Sequence, residues 1–113
     1  MSTEQNPRQI TAAVFEWYFE FESGVIGTHF DPRVLNYRVD VERLMRSLPP
    51  AERELLWAVH RDGMDPANAA IAAKWITTDP DALVESVETR FGRQLRSSGL
   101  FDLVQYFNRS ARA

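Results

Sequence analysis

Residues 48–73 read LPPAERELLWAVHRDGMDPANAAIAA, and this stretch decides the fold. Pro49 and Pro50 suit the first turn of a helix, where a missing N–H removes no intrahelical bond. Leu55, Leu56 and Val59 follow at spacings that place them on one face. Gly63 supplies the stop, because glycine takes the left-handed conformation at little cost. Asp65 and Pro66 then open a second helix, as N-cap and first helical residue. The small side chains of Ala69, Ala70, Ala72 and Ala73 let that helix lie close to a neighbour. Two helices joined by a tight glycine turn make half of a helix-turn-helix.

Upstream, residues 1–7 are polar and expected to fray. From Arg8 to Ser23 two patterns compete. Ile10, Ala13, Val14, Trp17 and Phe21 fall at helical spacing. Phe15, Trp17, Phe19 and Phe21, however, alternate with Glu16, Tyr18, Glu20 and Glu22 as a strand would. Helix is the reading adopted, because every downstream segment is helical and no strand partner is visible. Gly24 to Phe30 reads as a loop. Asp31-Pro32, Asp65-Pro66 and Asp79-Pro80 repeat one helix-starting chemistry, although the segments between them do not match.

The second helix is expected over 32–47, with Val41, Leu44, Met45 and Leu48 on one stripe. The third is expected over 50–62, the fourth over 66–75 and the fifth over 80–98. In the fifth, Leu83, Val84, Val87, Phe91 and Leu95 point inward. Beyond Gly99, a natural C-cap, Leu100, Leu103, Val104 and Phe107 make a last short amphipathic helix. The expected architecture is a single all-α domain, residues 1–113, of about six helices around a helix-turn-helix-like unit. Its parts are an aromatic helix and loop (1–30), a helical core (31–98), and a final helix with an arginine-bearing tail (99–113).

With 113 residues, 44% hydrophobic and 26% charged, the composition is that of an ordinary globular domain. No apolar run reaches membrane-spanning length and no charged-then-apolar leader opens the chain, so a cytoplasmic protein with no membrane partner is expected. The absence of cysteine excludes disulfides and thiolate chemistry. A net charge of −3 argues against coating nucleic acid through bulk charge, while leaving room for local basic stripes. Positive charge is nearly all arginine, Lys74 being the only lysine. Nothing suggests an enzyme, a cofactor or a metal centre. His29 and His60 belong to no recognisable catalytic motif, and no histidine stands at ligand spacing beside Glu16, Glu20 or Glu22.

Leu48-Pro49, Arg53, Leu55-Leu56, Asp62-Gly63-Met64 and Ala69-Ala70 resemble the C-terminal promoter-binding domain of bacterial extracytoplasmic-function sigma factors. Residues 87–94, Val-Glu-Thr-Arg-Phe-Gly-Arg-Gln, look like the end of that family's recognition helix. Residues 39–44 look like the helix leading into the domain. The resemblance spans roughly residues 39 to 98 and does not extend to the rest of a sigma factor. It implies a transcription regulator whose partners are promoter DNA and RNA polymerase. In that reading Arg90 and Arg93 hold phosphates, Ser86 and Thr89 reach toward the groove, and Lys74 and Arg96 complete the DNA-contacting set. Arg109 and Arg112 in the tail would add non-specific attraction. His60 and Arg61 stand where relatives contact DNA backbone or polymerase.

Several of these residues also have a plainer reading. Arg90, Arg93 and Arg96 suit the negative end of the fifth helix, and His60-Arg61 that of the third. The front of the fifth helix carries Asp79, Asp81, Glu85 and Glu88, which would face phosphates where base-reading side chains usually sit. A second expectation therefore stands beside the first: a protein-interaction module on the same scaffold that no longer binds DNA. Trp17, Tyr18 and Phe21 would be its contact residues, for a homodimer or another protein, since the aromatic run exceeds what one helix face buries.

Overall fold

Asn6 and Pro7 begin the first helix by a device that the sequence reading passed over. Asn6 Oδ1 accepts from the Gln9 N–H at 2.9 Å and Gln9 Oε1 accepts from the Asn6 N–H at 3.1 Å. This reciprocal capping satisfies two amides that a helix start leaves without partners. The fraying expected up to Pro7 is thus corrected at Asn6 and Pro7. The computed structural model describes residues 6–23 and 32–111, which form six α-helices and no strand. The expected loop over 24–30 and the Asp31 cap lie outside the described residues.

The helices are α1 (Pro7–Ser23), α2 (Pro32–Ser47), α3 (Pro50–His60), α4 (Pro66–Ala72), α5 (Pro80–Ser97) and α6 (Leu100–Ala111). In α1 the competition between periods resolves to helix. Ile10, Thr11, Val14, Phe15, Tyr18 and Phe21 are buried at three- and four-residue steps, and Glu16, Glu20 and Glu22 are exposed. Two of the three Asp-Pro starts behave as expected. Asp65 Oδ1 accepts from the Asn68 N–H at 2.8 Å, and Asp79 Oδ1 from the Ala82 N–H at 3.1 Å.

Three boundaries differ from expectation. α3 stops at His60, and Gly63 then turns with φ +68°, so that the Met64 N–H reaches back to the Ala58 carbonyl at 3.0 Å. α4 stops at Ala72, short of Trp75, because Lys74 takes the left-handed conformation at φ 62°. The Lys74 N–H bonds the Ile71 carbonyl at 3.0 Å and the Trp75 N–H bonds the Ala70 carbonyl at 2.8 Å, a Schellman closure. A lysine where glycine is the usual residue concealed the stop. α6, expected to be short, runs on to Ala111. Replacing Lys74 with glycine should raise stability by about 0.5–1 kcal/mol, since the relief of left-handed strain exceeds the entropy that glycine loses. Urea unfolding of the two proteins checks the sign.

α3, α4 and α5 pack against one another in all three pairings, as a helix-turn-helix-like unit over residues 50–98 requires. The connector between α4 and α5 covers 73–79, longer than the roughly three- to four-residue turn of a helix-turn-helix. Trp75 anchors it, its Nε1–H donating to the Ala51 carbonyl at 2.9 Å. α1 lies along α5 and makes the most extensive contact of any helix pair. α2 rests on α1, α3 and α6, and α6 closes the bundle against α1, α2 and α5. Phe15 stacks on Phe91 with ring centroids 5.8 Å apart, while Phe21, Tyr37 and Phe107 interlock edge-on. Among the described residues, no helix is long and apolar enough to cross a membrane.

Candidate functional site

α5 is two-faced because its apolar residues recur at three- and four-residue steps. Val84, Val87, Phe91 and Leu95 are buried, and so are Glu88 and Gly92. The opposite arc carries Ser86, Arg90, Arg93 and Arg96, all exposed, with Thr89 half-buried at its edge. The fold thus brings five of the six anticipated DNA-contacting residues to one outward side of one helix. Arg90 is already engaged: its Nη2 lies 2.5 Å from Oε1 of Glu52, a carboxylate of α3 that is 7% exposed. Arg93 borders a shallow groove between α2 and α5, beside Leu44, Ser47, Gln94, Ser97 and Ser98. Lys74 is elsewhere. It borders a cleft between α3 and α4 shared with Glu54, Trp57, Arg61 and Asp62.

The N-terminal end of α5 is acidic. Asp79 caps it and Asp81 and Glu85 are exposed on its first turns. Glu88, which the sequence reading grouped with them, is turned inward instead. Its carboxylate is held on both oxygens: Arg8 Nε donates to Oε1 and His60 Nε2 meets Oε2, each at 2.6 Å. The Thr11 hydroxyl donates to the Glu88 carbonyl at 2.7 Å. Burial pushes the Glu88 carboxyl up, but hydrogen bonds from His60 and Arg8, reinforced by their charge, hold it below the usual carboxylate range. This cluster ties α1, α3 and α5 together at one point. One signal pointed to it: Glu88 falls between Val84, Val87, Phe91 and Leu95 on the apolar arc.

His60 therefore serves inside the molecule, with its ring stacked on Phe15 at 4.8 Å. Arg61 stays outside, paired to Asp62 at 3.0 Å and laid over the Trp57 ring at 5.5 Å. The three anticipated aromatic contact residues are engaged within the chain. Tyr18 and Phe21 are buried, and the Tyr18 hydroxyl donates to Glu42 Oε1 at 2.8 Å. Burial and that bond together push the Tyr18 phenol well above its ordinary range. Trp17 is half-buried, packed on Phe21 and Phe107, and its Nε1–H donates to Asn108 Oδ1 at 2.8 Å.

No protein-family model, curated protein or solved structure matches the chain.

The bundle leaves other side chains outside that sequence patterning did not single out. Among the described residues, Leu35, Val39, Ile71 and Ile76 are the exposed large hydrophobic ones. Among the described residues, no group of three or more histidines and carboxylates is placed to hold a metal ion.

Proposed function

We propose that the chain is a non-enzymatic, transcription-regulator-like protein that contacts duplex DNA and RNA polymerase through the α3–α5 unit. The outward arc of α5 is the observation that carries this reading. Ser86, Thr89, Arg93 and Arg96 share it, while α3 and α4 support the helix from behind. Arginine suits such a surface because its planar guanidinium binds phosphate oxygens bidentately. The resemblance of residues 39 to 98 to sigma-factor promoter-binding domains points the same way.

A second reading, the protein-interaction module, is favoured by a specific feature. Asp79, Asp81 and Glu85 occupy the end of α5 that would enter a groove, and Glu52 already neutralises Arg90. Fluorescence anisotropy of a labelled duplex, repeated across salt concentrations, separates the two. DNA binding predicts affinity that falls steeply with salt, and Arg93→Gln should lower the log–log slope by about 0.9, one phosphate contact. No binding at low salt would leave only the interaction module.

A further inference from the structure

Glu52 puts a carboxylate where the period of α3 calls for an apolar side chain. It shares the buried row of that helix with Leu55 and Leu56 and is 7% exposed. Two features offset the cost of burying it. It lies in the first turn of α3, where the helix dipole favours an anion. Its Oε1 also meets Arg90 Nη2 of α5 at 2.5 Å, and the Arg90 side chain remains 56% exposed. Arg90 stands on the outward arc of α5, four residues after Ser86 and three before Arg93. Arg93 has no ion pair among the described residues. Two arginines one turn apart on the same arc thus differ in one respect, the buried carboxylate joined to Arg90.

We infer that Glu52 sets how tightly this surface holds the phosphates of duplex DNA, by cancelling the charge of Arg90. The inference rests on the DNA-binding reading of α5 and adds to it a residue that touches no DNA itself. Arg90 cannot leave Glu52 for a phosphate without stranding a buried anion, which is strongly unfavourable. Nor does the joined pair attract a phosphate as a free arginine does, because its net charge is zero and its carboxylate repels the incoming oxygens. Arg90 is therefore held in reserve. Arg93 binds phosphate at full strength, and the arc makes one phosphate contact fewer than its arginines would allow.

The test deletes the buried charge and keeps its shape. Glu52→Gln retains an oxygen that accepts from Arg90, and circular dichroism checks that the variant is folded. In the anisotropy titration of the full chain, Glu52→Gln should bind duplex about tenfold more tightly than the parent at about 50 mM salt. Its log–log slope should steepen by about 0.9, one added phosphate contact. Adding Arg90→Gln to Glu52→Gln should erase that gain and return the slope to the parent value. A purely structural role for Glu52 would produce neither change. The double variant carries the test even if Glu52→Gln alone does not fold, because it removes both members of the pair and leaves no charge stranded. A parent that binds while Glu52→Gln binds no tighter would overturn the inference and leave the DNA reading standing. So would a double variant whose slope falls about 0.9 below the parent's, since Arg90 would then hold a phosphate despite Glu52. No binding at low salt by either the parent or Glu52→Gln would overturn both together.

Discussion

Gly92→Ala is expected to destabilise the protein by about 2–3 kcal/mol, the range for overpacking a site whose neighbours cannot yield. A methyl group built on Gly92 would lie 1.9 Å from the Pro7 carbonyl oxygen and 2.5 Å from its carbonyl carbon. Both are backbone atoms at the start of α1, so no side-chain rotation relieves the clash. The first turn of α1 must lift, and the bonds from Arg8 and Thr11 to Glu88 would lengthen with it. The sign is diagnostic, because glycine to alanine inside a helix ordinarily adds about 0.5–1 kcal/mol. Urea unfolding supplies the number. A variant as stable as the parent would show that α1 does not press on α5 at this point.

The second large effect should come from Glu88→Ala. Removing one member of a buried ion pair costs about 3–5 kcal/mol when its partners are left uncompensated. Here Arg8 is 47% exposed and recovers water, which brings the expectation to about 2–3 kcal/mol. His60, 13% exposed, keeps most of the penalty. The pH dependence has a definite sign. Glu88 holds a lowered pKa in the folded chain, so its contribution is fully present above the ordinary carboxylate range of about 4.3. It is lost as pH falls through the lowered folded value. Glu88→Gln should therefore be less stable at neutral pH and show a flatter acid limb. Parallel acid limbs for parent and variant would assign that limb to other carboxylates.

What the sequence disclosed follows the range of the interactions concerned. Asp65 and Asp79 act on amides three residues away, so their capping could be read from the chain alone. The burial of Val84, Val87, Phe91 and Leu95 follows from period. The end of α4 was hidden because Lys74 adopts a backbone conformation that its side chain does not advertise. The Asn6–Pro7–Gln9 start is as local as the other caps and was legible, yet was read as a frayed end. Glu88, His60 and Arg8 belong to another class. Their meeting depends on how three helices stack: Glu88 carried one signal, its place on the apolar arc of α5, while Arg8 and His60 taken alone look like solvated or helix-end groups. The aromatic run of α1 misled for a related reason: its surplus apolar residues are absorbed by α3, α5 and α6 together, which no single helical face reveals.

The joining of α1 to α5 has a consequence for synthesis of the chain. Arg8 and its partner Glu88 are 80 residues apart, so α1 leaves the ribosome well before its main packing surface exists. At roughly 5–20 residues per second, Phe15, Tyr18 and Phe21 wait several seconds without that cover. A nascent chain of this kind presents a greasy helix to whatever holdase or neighbouring polypeptide meets it first, and it locks only once α5 has followed it out.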